Sequence, residues 1–139
     1  MSINDIQDAI IEEFAVYDEW LDKYEYLIDL GRDLPLAEEA DKTEGNLIDG
    51  CQSRVWLVCR RESDGRLYFR ADSDAIITKG IISLLVRIFD GQTPADILAA
   101  DLYFIDAIGL KENLSPTRAG GLAAMIKRIR EIAEQYGEG

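Results

Sequence analysis

Gly50-Cys51-Gln52-Ser53-Arg54-Val55-Trp56-Leu57 is the stretch whose reading decides the fold of this chain. The Gly-Cys step reads as a turn tip, and the apolar run behind it reads as a strand that holds the tip still. Alternation continues to Arg60, with Val55, Leu57 and Cys59 facing one way and Trp56 and Val58 the other. Both sets are apolar, which predicts a strand covered on both faces for much of its length. Glu62-Ser63-Asp64-Gly65 carries the Asp-Gly hairpin signal, and residues 66–71 return as a second strand. Asn46-Leu47-Ile48 is a third, short strand candidate ahead of the turn. Connections this short make the three an antiparallel meander.

Helices are expected on both sides of this sheet. Ser2 with Asp5 three residues on forms a capping-box start. Ile3, Ile6, Ile10, Phe14, Tyr17, Leu21 and Tyr24 then recur at helical steps, with a bend near residues 16–18, where Asp18 is placed to cap a second helix. Gly31 reads as the stop of that helix. After the hairpin, Asp72, Ser73 and Asp74 offer caps for a helix over residues 75–89, apolar around most of its circumference and so the central one. Gly80 inside it predicts close packing against another backbone, since glycine there costs about 1 kcal/mol relative to alanine. Thr93-Pro94-Ala95-Asp96 opens another helix, residues 103–108 a short one, and Ser115-Pro116 a last one that runs to residue 136. Gly120-Gly121 near its start again predicts close backbone approach. The pattern is one α+β domain over residues 1–139, a small three-stranded antiparallel sheet packed with helices from both chain ends.

The totals remove several function classes. The 139 residues include no histidine, which excludes Ser-His and Cys-His hydrolysis. Net charge is −12, and residues 1–49 carry all of the excess, with 15 acidic against 3 basic side chains. That imbalance reads either as a solubilising surface or as one that steers toward a basic partner, and it argues against nucleic acid. No phosphate-binding glycine motif is present. The opening residues lack a signal-peptide pattern and no run of 18 apolar residues occurs, so a cytoplasmic protein with no membrane contact is expected. The two cysteines, Cys51 and Cys59, are too far apart for a redox or zinc pair. Cys59 lies mid-strand and reads as core. Cys51 is set apart by Gly50 before it, by polar Gln52 and Ser53 after it, and by Arg54 nearby, which is expected to lower the thiol pKa. Tyr17, Trp20, Tyr24, Trp56 and Phe69 read as core aromatics.

Here the residues reach a family. Gly50-Cys51-Gln52-Ser53 ahead of Val55-Trp56-Leu57 resembles the signature of the SufE family, sulfur-acceptor proteins of iron–sulfur cluster assembly. Leu30-Gly31 with Leu34-Pro35, Ser73-Asp74-Ala75 leading into Lys79-Gly80, Thr93-Pro94, Leu114-Ser115-Pro116-Thr117-Arg118 and Gly121-Leu122-Ala123-Ala124-Met125-Ile126 extend the likeness in order and spacing over nearly the whole chain. The resemblance implies a SufE/IscU-like fold and a sulfur carrier that works with a PLP-dependent, SufS-like cysteine desulfurase. Cys51 would accept a persulfide and stimulate the desulfurase, then pass sulfur to a SufBCD-like scaffold complex. Gly50, Gln52 and Ser53 would shape the loop, and Arg118 would approach it to stabilise a thiolate or persulfide. Asp74 reads equally as a sulfur-site residue or as a helix cap. No cofactor is expected in this chain, PLP belonging to the partner, and no metal. The expected state is a monomer or weak homodimer. Two other readings remain: an IscU-like cluster scaffold, which needs about three or four ligands, and a non-catalytic desulfurase regulator, which would tolerate loss of Cys51.

Overall fold

The computed structural model describes residues 2–137. Helix α1 spans Ile3–Ala15 and begins on the expected capping box: Asp5 N donates to Ser2 Oγ (3.1 Å) and Ser2 N to Asp5 Oδ2 (3.2 Å). Ile3, Ile10 and Phe14 face the core, and so does Gln7. Its burial is tolerated because its amide is satisfied: Nε2 donates to the Asp101 carbonyl (3.0 Å) and Oε1 accepts from Phe104 N (3.2 Å). Helix α2 spans Trp20–Gly31, capped at Glu19 rather than Asp18 and without a side-chain bond.

Strands β1 (Val55–Arg61) and β2 (Leu67–Ser73) form the sheet, antiparallel, in the register Val55↔Ser73 through Arg61↔Leu67. The sheet has two strands, not three. Residues 46–48 make only a bridge of Leu47 to Trp56, because the chain around them tightens into 3-10 turns at Glu39–Asp41 and Glu44–Asn46. The outer edge of β2 is closed by other means. Leu67 N donates to Gln92 O, Phe69 N to Asp90 Oδ1 (2.7 Å), and Ala71 N to Pro35 O (3.0 Å). Coverage on both faces does not hold either. Val55, Leu57, Leu67, Phe69 and Ala71 are buried, whereas Trp56, Val58 and Tyr68 on the other face are half-buried. That face is covered only in part, by the segment that carries Lys42. Lys42 Nζ sits 5.4 Å from the Trp56 ring centroid and 2.8 Å from Asp72 Oδ2.

Helix α3, Ile76–Phe89, is the central helix, with eleven of its residues buried. It packs against α2 on one side and β2 on another. Short helices α4 (Pro94–Ala99), α5 (Phe104–Ala107) and α6 (Leu110–Asn113) lead to α7 (Pro116–Gly137). Thr93 caps α4 through Asp96 N (3.2 Å), as its sequence predicts.

Gly80 does what its position implies. A Cβ there would lie 2.4 Å from the Leu27 carbonyl oxygen, so α2 and α3 meet backbone to backbone. Gly31 serves the same contact, with its own absent Cβ 3.1 Å from Gly80 N. It is the last residue of α2 and not a left-handed stop; Arg32 follows in right-handed helical geometry. Ser83 Oγ donates to the Leu30 carbonyl (2.9 Å) beside this crossing. Of the glycine pair in α7, only Gly121 is a contact; nothing lies within 4 Å of a Cβ at Gly120.

Gly80 and Gly120 predict opposite outcomes for one substitution. Gly80→Ala gains about 1 kcal/mol of helix propensity. It also drives a methyl into a carbonyl that cannot rotate away, and overpacking of that kind costs about 1–3 kcal/mol or more. A net loss of about 1–2 kcal/mol in urea unfolding is expected. Gly120→Ala is expected to gain about 0.5–1 kcal/mol, because only the propensity term acts there. Equal effects of the two substitutions would contradict the packing.

Candidate functional site

The loop between residues 48 and 55 is closed at its base, where Ile48 N donates to the Val55 carbonyl (2.9 Å). Its tip is Gly50, with φ +93°. That angle is poorly accessible to residues with a Cβ, and a Cβ here would also lie 3.1 Å from that of Ala124 on α7. The loop therefore lies down on α7. Cys51 follows, half-buried, with its Sγ donating to the Gly121 carbonyl at 3.6 Å. The far end of the loop is held at Arg54 by its main chain. Arg54 N donates to Asp74 Oδ1 (3.0 Å), while the Arg54 carbonyl accepts from Asp74 N (3.2 Å) and Ser73 Oγ (2.8 Å). Asp74 thus commits its carboxylate to the loop. Helix α3 has Ala75 as its N-cap, with no side-chain cap bond.

Cys51 opens onto a cleft of about 390 Å³ between the loop, α3 and α7. Gln52 and Ser53 form its loop wall, Thr78 and Ile81 the α3 wall, and Thr117, Arg118 and Met125 part of the α7 wall. The structure brings together Cys51, Gln52, Ser53 and Arg118. Asp74 stays behind the loop, reaching it through Arg54. Among the described residues neither Gln52 nor Ser53 hydrogen-bonds to the sulfur.

Burial pushes the Cys51 thiol above its ordinary pKa, against the sequence expectation. The pull expected from Arg54 does not offset desolvation, since that side chain is exposed and the site uses its backbone. The Gly121 carbonyl favours the same state, because only the protonated thiol can donate to it. The cation that shares the cleft is turned elsewhere: Arg118 Nη1 donates to Tyr24 OH at 2.7 Å, and its Cζ lies 6.0 Å from the Tyr24 ring centroid.

Cys59 lies in a different cleft, of about 510 Å³, on the sheet face. It is half-buried rather than fully core, and burial together with the Asp90 carboxylate pushes its thiol up to about 12. Among the described residues no three Cys, Asp or Glu side chains gather as a metal-ligand set. None of the described helices is long and apolar enough to cross a membrane. Sequence reasoning missed Tyr24, which it read as a core aromatic. The residue is half-buried with its hydroxyl on Arg118, and the polar end of the tyrosine was the only available hint.

Residues 8–133 match the family described as "SufE: Fe-S metabolism associated domain". The chain is 43% identical over 131 residues to an uncharacterised SufE-like protein of Rhizobium meliloti, covering 91% of this chain and 94% of the relative. It is 41% identical over 131 residues to another from Rhizobium etli, covering 91% and 88%. The fold is also that of a solution structure of a hypothetical protein from Thermus thermophilus. That match has a TM-score of 0.78 at 20% identity, over 96% of this chain and 97% of the other.

The electrostatics predict how the free thiols react. At neutral pH iodoacetamide should alkylate Cys51 more slowly in the folded chain than in urea, because the raised pKa leaves less thiolate. The rate should climb as pH rises beyond the ordinary thiol value, and Cys59 should lag behind Cys51 throughout. A folded Cys51 rate at or above the unfolded rate would contradict the burial.

Proposed function

The chain belongs to the SufE family of iron–sulfur metabolism, and from that premise we propose that it is a sulfur carrier whose acceptor is Cys51. The observation that carries this reading is the mounting of one thiol. Cys51 sits on a turn made by Gly50, is pinned at Arg54, and is sheltered over a cleft with its sulfur on the Gly121 carbonyl. A residue that only filled the core would need no such loop.

The donor is a cysteine desulfurase bearing a persulfide on its own cysteine. Cys51 loses its proton, and its sulfur attacks the outer sulfur of that persulfide. The S–S bond of the donor breaks, and its electron pair leaves with the donor sulfur, which takes up a proton. The products are a persulfide on Cys51 and a free donor thiol. No net oxidation occurs, so neither metal nor redox cofactor is required in this chain. PLP serves only in the desulfurase. Arg118, which lines the same cleft, is the residue to hold the negative charge of the thiolate and then of the persulfide. Sulfur then passes to an iron–sulfur scaffold complex, in the cytoplasm, where thiols such as these two stay reduced. The scaffold reading is disfavoured, since Cys51 and Cys59 occupy separate clefts and cannot share one cluster.

The test is direct. With a cysteine desulfurase and cysteine, mass spectrometry under non-reducing conditions should find one added sulfur on the Cys51 peptide and none on Cys59. Cys51→Ser should bring desulfurase turnover back to its unstimulated rate, and Cys59→Ser should retain at least about half of the stimulation, as a distant and independent site. Stimulation that survives in Cys51→Ser would favour the non-catalytic regulator.

A further inference from the structure

Building on the carrier reading, we propose that Tyr24 is a positioning residue that parks the Arg118 guanidinium away from the Cys51 sulfur in the resting protein, to be released when a partner surface covers the cleft. The two side chains meet at 2.7 Å between Arg118 Nη1 and the Tyr24 hydroxyl, with the guanidinium also near the tyrosine ring. Arg118 and Cys51 line one cleft. Gly121, whose carbonyl accepts from the sulfur, lies three residues beyond Arg118 on α7. Residues three apart share a helix face, so the Arg118 side chain and the sulfur lie on one side of α7, within one cleft.

The partners differ in mobility. Tyr24 is fixed: its ring packs edge-on to Trp20 at 6.4 Å, and α2 is tied to α3 at Leu27 and Gly80. Arg118 is anchored in its backbone, where its N donates to Ser115 Oγ (3.3 Å), and its side chain is held by the Tyr24 hydroxyl. Its side chain is exposed, so water competes for the contact and a docking surface can displace it. Tyr24 is the peg and Arg118 the arm. Among the described residues lining the cleft, Arg118 carries the only charge, and the other titratable group there is Cys51 itself. No neighbouring carboxylate of the cleft would hold the arm once it is free.

The consequence is timing. With the arm parked, the thiol keeps its proton and its bond to Gly121, and reacts slowly with stray electrophiles. With the arm released, the cation favours the thiolate when a donor is in place.

The test uses the isolated full-length chain and needs no desulfurase, so it stands apart from the carrier reading. Tyr24→Phe keeps the ring and removes the hydroxyl. Iodoacetamide labelling of Cys51 at neutral pH should rise about tenfold, since an opposite charge within about 4–6 Å lowers a pKa by about one unit or more. The midpoint of the labelling pH profile should fall accordingly, and Cys59 labelling should not change. Arg118→Gln should label like the wild type, and the Tyr24→Phe/Arg118→Gln pair should return to the wild-type rate. A wild-type rate in Tyr24→Phe, or a rise that survives in the double variant, overturns the proposal. If Tyr24→Phe unfolds, which a parallel rise at Cys59 would reveal, the wild-type chain decides by NMR. Slowed rotation of the Arg118 guanidinium relative to that of exposed Arg61 is expected, and equally free rotation overturns the proposal. Absence of sulfur on Cys51 with the desulfurase, alongside the expected labelling pattern, would sink the carrier reading alone.

Discussion

The contact between Gly80 of α3 and the Leu27 carbonyl of α2 is the constraint from which the rest of the structure follows. Helices with ordinary side chains at their crossing stand about 8–10 Å apart. Removing the side chain at Gly80, and at Gly31 opposite, lets these two close in until backbone meets backbone. Three placements result. The apolar surface of α3 is sealed on the α2 side, which leaves its other sides for the sheet and α7. The C-terminal half of α2 is fixed against α3, and the same helix carries Tyr24 one turn earlier. Thr78 and Ile81, which flank Gly80 along α3, are held facing the loop and become a wall of the Cys51 cleft.

On the carrier reading proposed above, the site built there is a compromise between two demands on one sulfur atom. A carrier must hide its sulfur from solvent and oxidants, and half-burial against α7 does so. The same burial disfavours the thiolate that the exchange needs. The loop itself supplies no charge to offset this, because Arg54 contributes its backbone and Asp74 is committed to holding it. What could offset it is Arg118, already in the cleft wall but bonded to Tyr24. On the proposal made here, a resting state of low reactivity and an activated state with a partner docked are two arrangements of one exposed side chain.

Much of the architecture was legible from local rules. The capping box at Ser2, the Asp-Gly hairpin, the Thr93-Pro94 start and the mostly apolar α3 are each set by neighbours within a few residues, and each appears as read. The third strand was not legible. Asn46-Leu47-Ile48 has strand-like residues, yet the turns around it leave room for a single bridge, and the edge of β2 is closed by Asp90, Gln92 and Pro35 instead. Gln7 was invisible for the same reason. A glutamine on a helix face reads as solvent-exposed until a distant carbonyl and amide, those of Asp101 and Phe104, are placed against it.

Of the candidate site, the sequence by itself determined the candidate thiol and its place after a glycine turn. A glycine before the cysteine, polar residues after it and a chain without histidine narrow the chemistry to a thiol on a turn, and those are properties of residue type and order. Only the tertiary structure decided the state of that thiol. Its half-burial on α7, the carbonyl of Gly121 seventy residues away and the capture of Arg118 by Tyr24 across ninety-four residues all depend on which surfaces meet. A pKa reports the surroundings of a group in space, and proximity in sequence to Arg54 carried no information about them.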